Sequence, residues 1–145
     1  MAKLSIAIIF GGKSSEHDVS ISSAATIASN ISDKHDVHYL YITKEGQWYL
    51  LNDINPEKST QKIPAIISPD SLSKGILVMK EKNTEFIKLD AVIPVLHGKN
   101  GEDGSLQGLL QLAGIPTVGC DVTSASACMD KVITNSVLMY SGIKK

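Results

Sequence analysis

The chain has 145 residues, the length of a single domain, and its net charge of −1 gives it no electrostatic preference for nucleic acid. With 43% hydrophobic and 20% charged residues, its composition is that of an ordinary soluble globular protein. The two cysteines, Cys120 and Cys128, lack a metal-binding spacing, and no apolar run reaches the roughly 18 residues of a membrane span. We therefore expect a cytoplasmic protein that binds neither nucleic acid nor a membrane.

The amino-terminal pattern predicts a β–α–β unit. An almost continuous apolar run at residues 4–10 is typical of a buried parallel strand, and it stops at Gly11-Gly12. Ser14 or Ser15 is a candidate cap for the following helix, whose apolar positions keep helical spacing: Ile21, Ala24, Ile27, Ala28 and Ile31. Residues 36–43 predict the second strand, and residues 46–50 a short third one.

The middle of the chain is less regular. Polar residues and three prolines at positions 52–70 predict an excursion outside the core, and two short apolar runs at 76–79 and 85–88 predict a peripheral hairpin. Regular patterning resumes with a strand at 91–96 and a helix at 104–113, which Gly114 and Pro116 end. A short strand at 117–119 and two helices, at 124–129 and 131–140, complete the prediction.

Strands that alternate with helices predict an open, mostly parallel, Rossmann-like α/β sheet flanked by helices. Such sheets bind ligands beyond the carboxyl ends of their strands. Because the two glycine-rich loops follow Phe10 and Leu96 at strand ends, we expect both loops at that edge of the sheet.

The first loop, GGKSSE at 11–16, is neither a dinucleotide fingerprint, which needs G-x-G-x-x-G, nor a P-loop. Its paired glycines let the backbone come close to a small ligand, and His17 is a candidate support for it. Glu16 is predicted in the first turn of the following helix, where the helix dipole favours a negative charge. Two interpretations stay open: the carboxylate receives a ligand ammonium, or it only caps the helix.

The second loop, HGKNGEDG at 97–104, places His97 where it can donate a hydrogen bond to a ligand carboxylate or phosphoryl oxygen. The alternative is a histidine bonded to a loop carbonyl. Glu102 and Asp103 are predicted to order the loop and cap the next helix rather than act as an acid/base pair. Lys131, after Asp130, can present an ammonium to a phosphate or simply begin a solvated helix.

Three stretches of the chain resemble the D-alanine–D-alanine ligase family, including its vancomycin-resistance relatives. They are IAIIFGGKSSEHDVSISSA at 6–24, AVIPVLHGKNGEDGSLQGLLQLAGIPTVGC at 91–120 and SASACMDK at 124–131. Three long motifs in the same order are far more specific than any one of them. The LHGKNGEDG wording and the longer middle resemble the resistance-type branch more than the shortest housekeeping enzymes. Residues 52–90 match no motif.

The resemblance implies roles for individual residues. Glu16 looks like the family carboxylate that receives the ammonium of the first D-alanine, and His97 like the family histidine near that substrate's carboxyl group and its acyl phosphate. These two are the implied catalytic residues, and with Val19 and Gly98 they form the implied substrate-binding set. Lys131 looks like the lysine of the Met-Asp-Lys motif, which reaches toward ATP phosphates. No metal ligand is implied in this chain.

The resemblance also implies a domain order and a reaction. Residues 1–140 correspond to the amino-terminal substrate-binding domain, and residues 141–145 begin the linker to ATP-grasp domains beyond Lys145. In the family, ATP phosphorylates the first D-alanine, and the second substrate attacks the acyl phosphate to give the terminal dipeptide of peptidoglycan precursors. ATP and Mg²⁺ are thus expected in the parent enzyme, a homodimer, and neither should bind tightly to this fragment. All 14 basic residues are lysines, and an inactive fragment fits this absence of arginine better than a complete catalyst does.

Three alternatives remain. Within the family, the second substrate can be D-alanine, D-serine or D-lactate. From another class, the chain can be a free-standing, non-catalytic α/β ligand-binding module. A dinucleotide-dependent oxidoreductase is disfavoured by Gly11-Gly12 and by the lack of an acidic residue at the end of the second strand.

Overall fold

The computed structural model describes residues 2–31 and 33–143, and these residues form one open sheet with helices on both faces. The elements in chain order are β1 Ser5–Gly11, α1 His17–Ile31, β2 Asp36–Ile42, β3 Trp48–Leu51, β4 Lys62–Ile67, β5 Gly75–Met79, β6 Thr84–Lys88, β7 Ala91–Pro94, α2 Ser105–Leu112, α3 Val122–Met129 and α4 Lys131–Tyr140. The strand order within the described residues is β6-β5-β4-β3-β2-β1-β7. None of the described helices is long and apolar enough to cross a membrane.

This architecture confirms the predicted open α/β sheet flanked by helices, with a hairpin at one edge. The ligand edge was predicted at the carboxyl ends of parallel strands. The strands before the two glycine-rich loops, β1 and β7, do pair in parallel, and β1 also pairs in parallel with β2. From β2 to β6 each strand pairs antiparallel with the next. Short connections permit only antiparallel pairing, whereas the parallel pair β1–β2 is joined through α1.

The two faces of the sheet have separate cores, which explains why residues 6–10 of β1 are all apolar. Ala7 and Ile9 pack on one face with residues of α2, and Ile8 and Phe10 pack on the other face with residues of α1. All four of these β1 side chains are fully buried. A strand buried on both faces loses the usual alternation between apolar and polar residues.

The prediction that residues 52–70 lie outside the core is wrong for their second half. Residues 62–67 form β4, an internal strand whose Ala65 and Ile67 are buried. Pro64, which has no N–H to donate, lies where the strand changes partner: residues 62–64 pair with β3, and residues 65–67 pair with β5. A proline at this change of partner therefore interrupts neither pairing.

The predicted strand at 117–119 is barely formed. It is reduced to a single parallel bridge between Thr117 and Val92. Helix α4 has the predicted bounds of 131–140. It is followed by Gly142, which has a positive φ, and the Ile143 N–H donates to the Leu138 carbonyl, a common way to end a helix. The predicted linker start at 141–145 lies partly outside the described residues, since Lys144 and Lys145 are not among them.

Candidate site at the carboxyl edge of the sheet

The structure brings the two glycine-rich loops together. Because Ile9 of β1 pairs with Pro94 of β7 in parallel register, both strands deliver their following loops to the same edge. The loops approach closely: a Cβ added to Gly98 would lie 3.6 Å from Glu16 Oε2. Glu16 lies 82 positions before Gly98 in the sequence, and together with His97, which precedes Gly98, these residues form one candidate site.

The paired glycines of the first loop are required by packing. Gly11 and Gly12 have φ of 88° and 92°, a region that side chains disfavour. A Cβ at Gly12 would lie 3.0 Å from Leu96 Cδ2, and one at Gly11 would meet the backbone oxygen of Ile42. Glycine thus allows the first loop to lie against the neighbouring strand ends.

Ser20 is the residue that holds the two strand ends together, and sequence reasoning missed it. Its fully buried hydroxyl donates to the Val95 carbonyl at 2.5 Å and accepts from the Gly11 N–H at 2.8 Å. Ser20 lies four residues before Ala24 on the buried face of α1. The sequence did contain a signal for Ser20, since it is a polar residue at a position where the helical pattern calls for an apolar one.

His17 supports the first loop, as the sequence suggested. Its ring is buried, with Nδ1 2.8 Å from the Gly12 carbonyl and Nε2 3.1 Å from the Tyr41 hydroxyl. Burial, and then the carboxylates of Glu45 and Asp18, raise the pKa of Tyr41 above its usual value. The protonated hydroxyl of Tyr41 can therefore donate to Nε2, which leaves Nδ1–H to donate to the Gly12 carbonyl.

Glu16 lies immediately before α1 rather than in its first turn, where it was predicted, because α1 begins at His17. The Glu16 carbonyl accepts the first helical hydrogen bond from the Ser20 N–H, at 3.0 Å. The loop hydroxyl that bonds the backbone here belongs to Ser14, which accepts from the Glu16 N–H at 3.1 Å. Within the described residues, no donor contacts the exposed Glu16 carboxylate, so the structure does not support a capping role for it.

The acidic residues of the second loop order its backbone, as predicted. Glu102 accepts from the Gly98 N–H at 2.7 Å, and Asp103 accepts from the N–H groups of Asn100 and Ser105 at 2.8 and 3.0 Å. Ser126 of α3 donates to the Asp103 carbonyl at 2.9 Å, which ties the loop to the next helix. Both carboxylates are thus occupied by the loop itself.

His97 is partly exposed, and one of its ring nitrogens lacks a hydrogen-bond partner among the described residues. Its Nδ1 lies 4.0 Å from Glu102 Oε1, beyond hydrogen-bond distance. Its Nε2 is buried and has no partner among the described residues. Because leaving a buried polar atom unpaired costs about 1–3 kcal/mol, this nitrogen is a candidate ligand contact. The structure does not show the carbonyl bond that was the alternative interpretation.

The remaining predicted site residues are placed differently. Val19 is 56% exposed in the first turn of α1, close in sequence to Glu16. Lys131 is the exposed first residue of α4, which packs against α3, and no hydrogen bond or ion pair between described residues joins Lys131 to Glu16 or His97. Asp130 caps α4 by accepting from the N–H groups of Val132 and Ile133.

The described residues do not fit a magnesium site. Over residues 2–31 and 33–143, no three His, Cys, Asp or Glu side chains cluster closely enough to hold a metal ion. Lys131 is the one predicted ATP contact, and a single exposed lysine provides no enclosed phosphate site. Metal chemistry is therefore not assigned to these residues.

The role of Asp103 in the loop predicts an acid-dependent loss of stability. Burial raises the pKa of Asp103, but hydrogen bonds from Asn100 and Ser105 outweigh it and lower the pKa below its usual value. A lowered folded-state pKa gives stability that is present above the unfolded pKa of about 3.9 and is lost as the pH falls through the folded value. The free energy of unfolding in urea should therefore fall more between pH 7 and pH 3 for the wild type than for the variant Asp103→Asn.

The matched control is Glu81→Gln, at an exposed carboxylate in the turn between β5 and β6. It should follow the wild type at both pH values. Equal acid sensitivity of Asp103→Asn and the wild type would show that the loop does not depend on the ionised carboxylate.

Comparison with known proteins shows which family this chain belongs to. The family profile described as the D-ala D-ala ligase N-terminus matches residues 5–120. The chain belongs to the D-alanine–D-alanine ligase family. It is 51% identical over 144 residues to the vancomycin B-type resistance protein VanB of Enterococcus faecalis, covering 99% of this chain and 42% of VanB.

Other relatives in this family support the same assignment. The D-alanine–D-alanine ligase of Caldicellulosiruptor bescii is 44% identical, over 99% of this chain and 41% of that protein. The crystal structure of the VanG D-Ala:D-Ser ligase of Enterococcus faecalis superposes with a TM-score of 0.89 at 41% identity, over 99% of this chain and 43% of that chain. The chain thus spans less than half the length of these relatives. The higher identity to VanB agrees with the predicted resemblance to the resistance-type branch.

Proposed function

We propose that this chain is the domain that binds the first D-alanine in an ATP-dependent ligase, which joins D-alanine to D-alanine, D-serine or D-lactate for peptidoglycan precursors. The observation that carries the proposal is the approach of Glu16 to Gly98, the residue after His97, at the carboxyl edge of the sheet. In this proposal, residues 1–140 are the substrate-binding domain, and the ATP-grasp domains follow in the parent protein.

Glu16 binds the ammonium of D-alanine. Its carboxylate is exposed and free of protein donors within the described residues, so it can accept a charge-assisted hydrogen bond from a small cation. Its carbonyl accepts the first hydrogen bond of α1, which fixes the position of the residue. We assign Val19, exposed in the first turn of the same helix, to contact with the substrate methyl group.

His97 acts at the other end of the substrate. Its buried, unpartnered Nε2 can donate to an oxygen of the D-alanine carboxyl group, and after phosphorylation to the acyl phosphate made from it. Gly98 gives the substrate close access to the loop backbone, because a side chain there would approach Glu16. A donor aimed at an oxygen that gains negative charge stabilises the transition state electrostatically.

ATP would supply the phosphoryl group that activates the D-alanine carboxylate, and Mg²⁺ would be held by residues of the ATP-grasp domains. Lys131 is exposed at the start of α4, where it can turn toward the ATP phosphates. The proposal places the protein in the cytoplasm as a homodimer.

The alternative function is a non-catalytic module that binds a small amino acid. The same approach of Glu16 to Gly98 would hold an amino acid without activating it. The two functions differ in whether residues that follow Lys145 in the parent protein complete a catalyst.

The test compares phosphate release by this chain and by the parent protein, each with ATP, Mg²⁺ and D-alanine. The parent should turn over in the usual range of enzymes, about 1 per second or faster, and the 145-residue chain alone should release no phosphate above background. The reason is that the described residues offer neither a metal cluster nor an arginine.

D-alanine omission is the control, since phosphate release that does not depend on D-alanine reports a contaminating ATPase. A parent protein that binds D-alanine but never releases phosphate would favour the binding module. Turnover by the isolated chain at a rate usual for enzymes would contradict the assignment of catalysis to later domains.

A further inference from the structure

A cleft separate from the Glu16–Gly98 contact lies on the α2 face of the sheet. It has a volume of about 240 Å³ and opens between the first and second loops. Its walls are largely apolar, formed by Ile42, Trp48, Leu96, Leu106 and Leu109. All five side chains belong to the core on the α2 face or pack against it. Neither Glu16 nor Gly98 lines this cleft.

The charges around the cleft are all basic. Lys13 and Lys99 line it together with His97, and no lining residue is acidic. The stem of Lys13 lies against Gly46, where an added Cβ would be 3.0 Å from Lys13 Cδ. Within the described residues, neither Lys13 nor Lys99 pairs with a carboxylate. Glu45, next to Gly46, lines a different opening beside His17 and Tyr41.

We propose that this cleft binds a small carboxylate with an apolar body, the chemistry that benzoate represents. The cleft volume of about 240 Å³ is many times the roughly 10–15 Å³ that a single water needs, so the cleft has room for a small ligand. The apolar walls favour a body without polar groups, and the two lysines favour a negative charge at the opening.

This site goes beyond the proposed D-alanine site. A free amino acid carries an ammonium that needs an acidic partner, and none of the residues that line the cleft is acidic. The two sites are nevertheless neighbours, because Gly12 and His97 belong to the loops of the candidate site and also line the cleft. An occupant of the cleft would contact both loops.

The chain contains a single tryptophan, Trp48, and it lines the cleft, so its fluorescence reports occupancy directly. Titration with benzoate should change the Trp48 emission saturably, with a dissociation constant in the millimolar range. Benzamide keeps the shape and removes the charge, so it should bind about threefold to tenfold more weakly. Acetate, which lacks the apolar body, should produce no saturable change.

Two variants separate charge from folding. The double variant Lys13→Met, Lys99→Met should bind benzoate about threefold to tenfold more weakly and should bind benzamide with unchanged affinity. The control Lys58→Met, at an exposed lysine outside the cleft, should leave the affinity for both compounds unchanged. Circular dichroism melts establish that each variant is folded, and the wild-type comparison of benzoate with benzamide stands even if the double variant unfolds. Excess D-alanine should not displace benzoate, whichever function the Glu16 site has. Absence of a saturable change, equal affinity for benzoate and benzamide, or displacement by D-alanine would overturn the proposal.

Discussion

Glu16→Gln in the complete enzyme should lower kcat/KM for the first D-alanine about 10- to 150-fold, while the melting temperature of the domain barely moves. The substitution keeps the shape of the side chain and removes the charge that, in the proposed function, pairs with the ammonium. A charge-assisted hydrogen bond of this kind contributes about 1.5–3 kcal/mol, which gives the expected range of rates. Because no described donor contacts the Glu16 carboxylate, its neutralisation removes no contact within the domain.

The matched control for this prediction is Asp18→Asn. Asp18 is an exposed carboxylate of the first turn of α1, and its partner is Lys44 at 3.3 Å rather than the candidate site. Loss of this exposed ion pair lowers the folding stability by at most about 1 kcal/mol. Because the partner of Asp18 is Lys44 and not the candidate site, this variant should show near-normal kinetics. A large loss of stability in Glu16→Gln with normal kinetics would show that Glu16 only stabilises the start of the helix.

Ser20→Ala should destabilise the domain by about 2–4 kcal/mol, because it leaves two buried backbone groups unpaired. The Gly11 N–H and the Val95 carbonyl both bond the Ser20 hydroxyl, and neither water nor another side chain has access to this fully buried position. At roughly 3 °C per kcal/mol for a domain of this size, the melting temperature should fall by about 6–12 °C. Urea unfolding and thermal melts measure the loss.

Ser22→Ala, at an exposed serine of the same helix, is the control and should change stability by no more than about 0.5 kcal/mol. In the complete enzyme, Ser20→Ala should also raise KM for D-alanine, because the hydroxyl holds the strand ends that carry Glu16 and His97. Equal stability of the Ser20 and Ser22 variants would show that the domain does not need this link.

Much of the candidate site could be predicted from local sequence. A strand followed by two glycines, and a second strand followed by His97-Gly98, place both loops at the carboxyl edge of a parallel sheet. The predicted roles of Glu102 and Asp103 rest on the same local reasoning, since each accepts from a backbone N–H no more than four residues away. Contacts of such short range depend on spacing along the chain.

The supporting contacts could not be predicted, because their partners are distant in sequence. The hydroxyl of Ser20 bonds a carbonyl 75 residues away, and His17 bonds a tyrosine 24 residues away. Helical spacing places both residues on the buried face of α1 but does not say which backbone groups they meet. Strand β4 escaped prediction for a related reason, since Pro64 is tolerated only where the strand changes from one partner to the other.

The sequence by itself therefore determined the α/β class, most element positions, the two loops and the family resemblance, because each depends on periodicity or on contiguous motifs. Only the tertiary structure decided that Glu16 lies beside Gly98, that its carboxylate is free of described donors and that His97 Nε2 lacks a partner. It also decided the antiparallel half of the sheet and the basic cleft around Trp48. These features arise from the parallel register of β1 with β7 and from packing between distant segments, which no local pattern encodes.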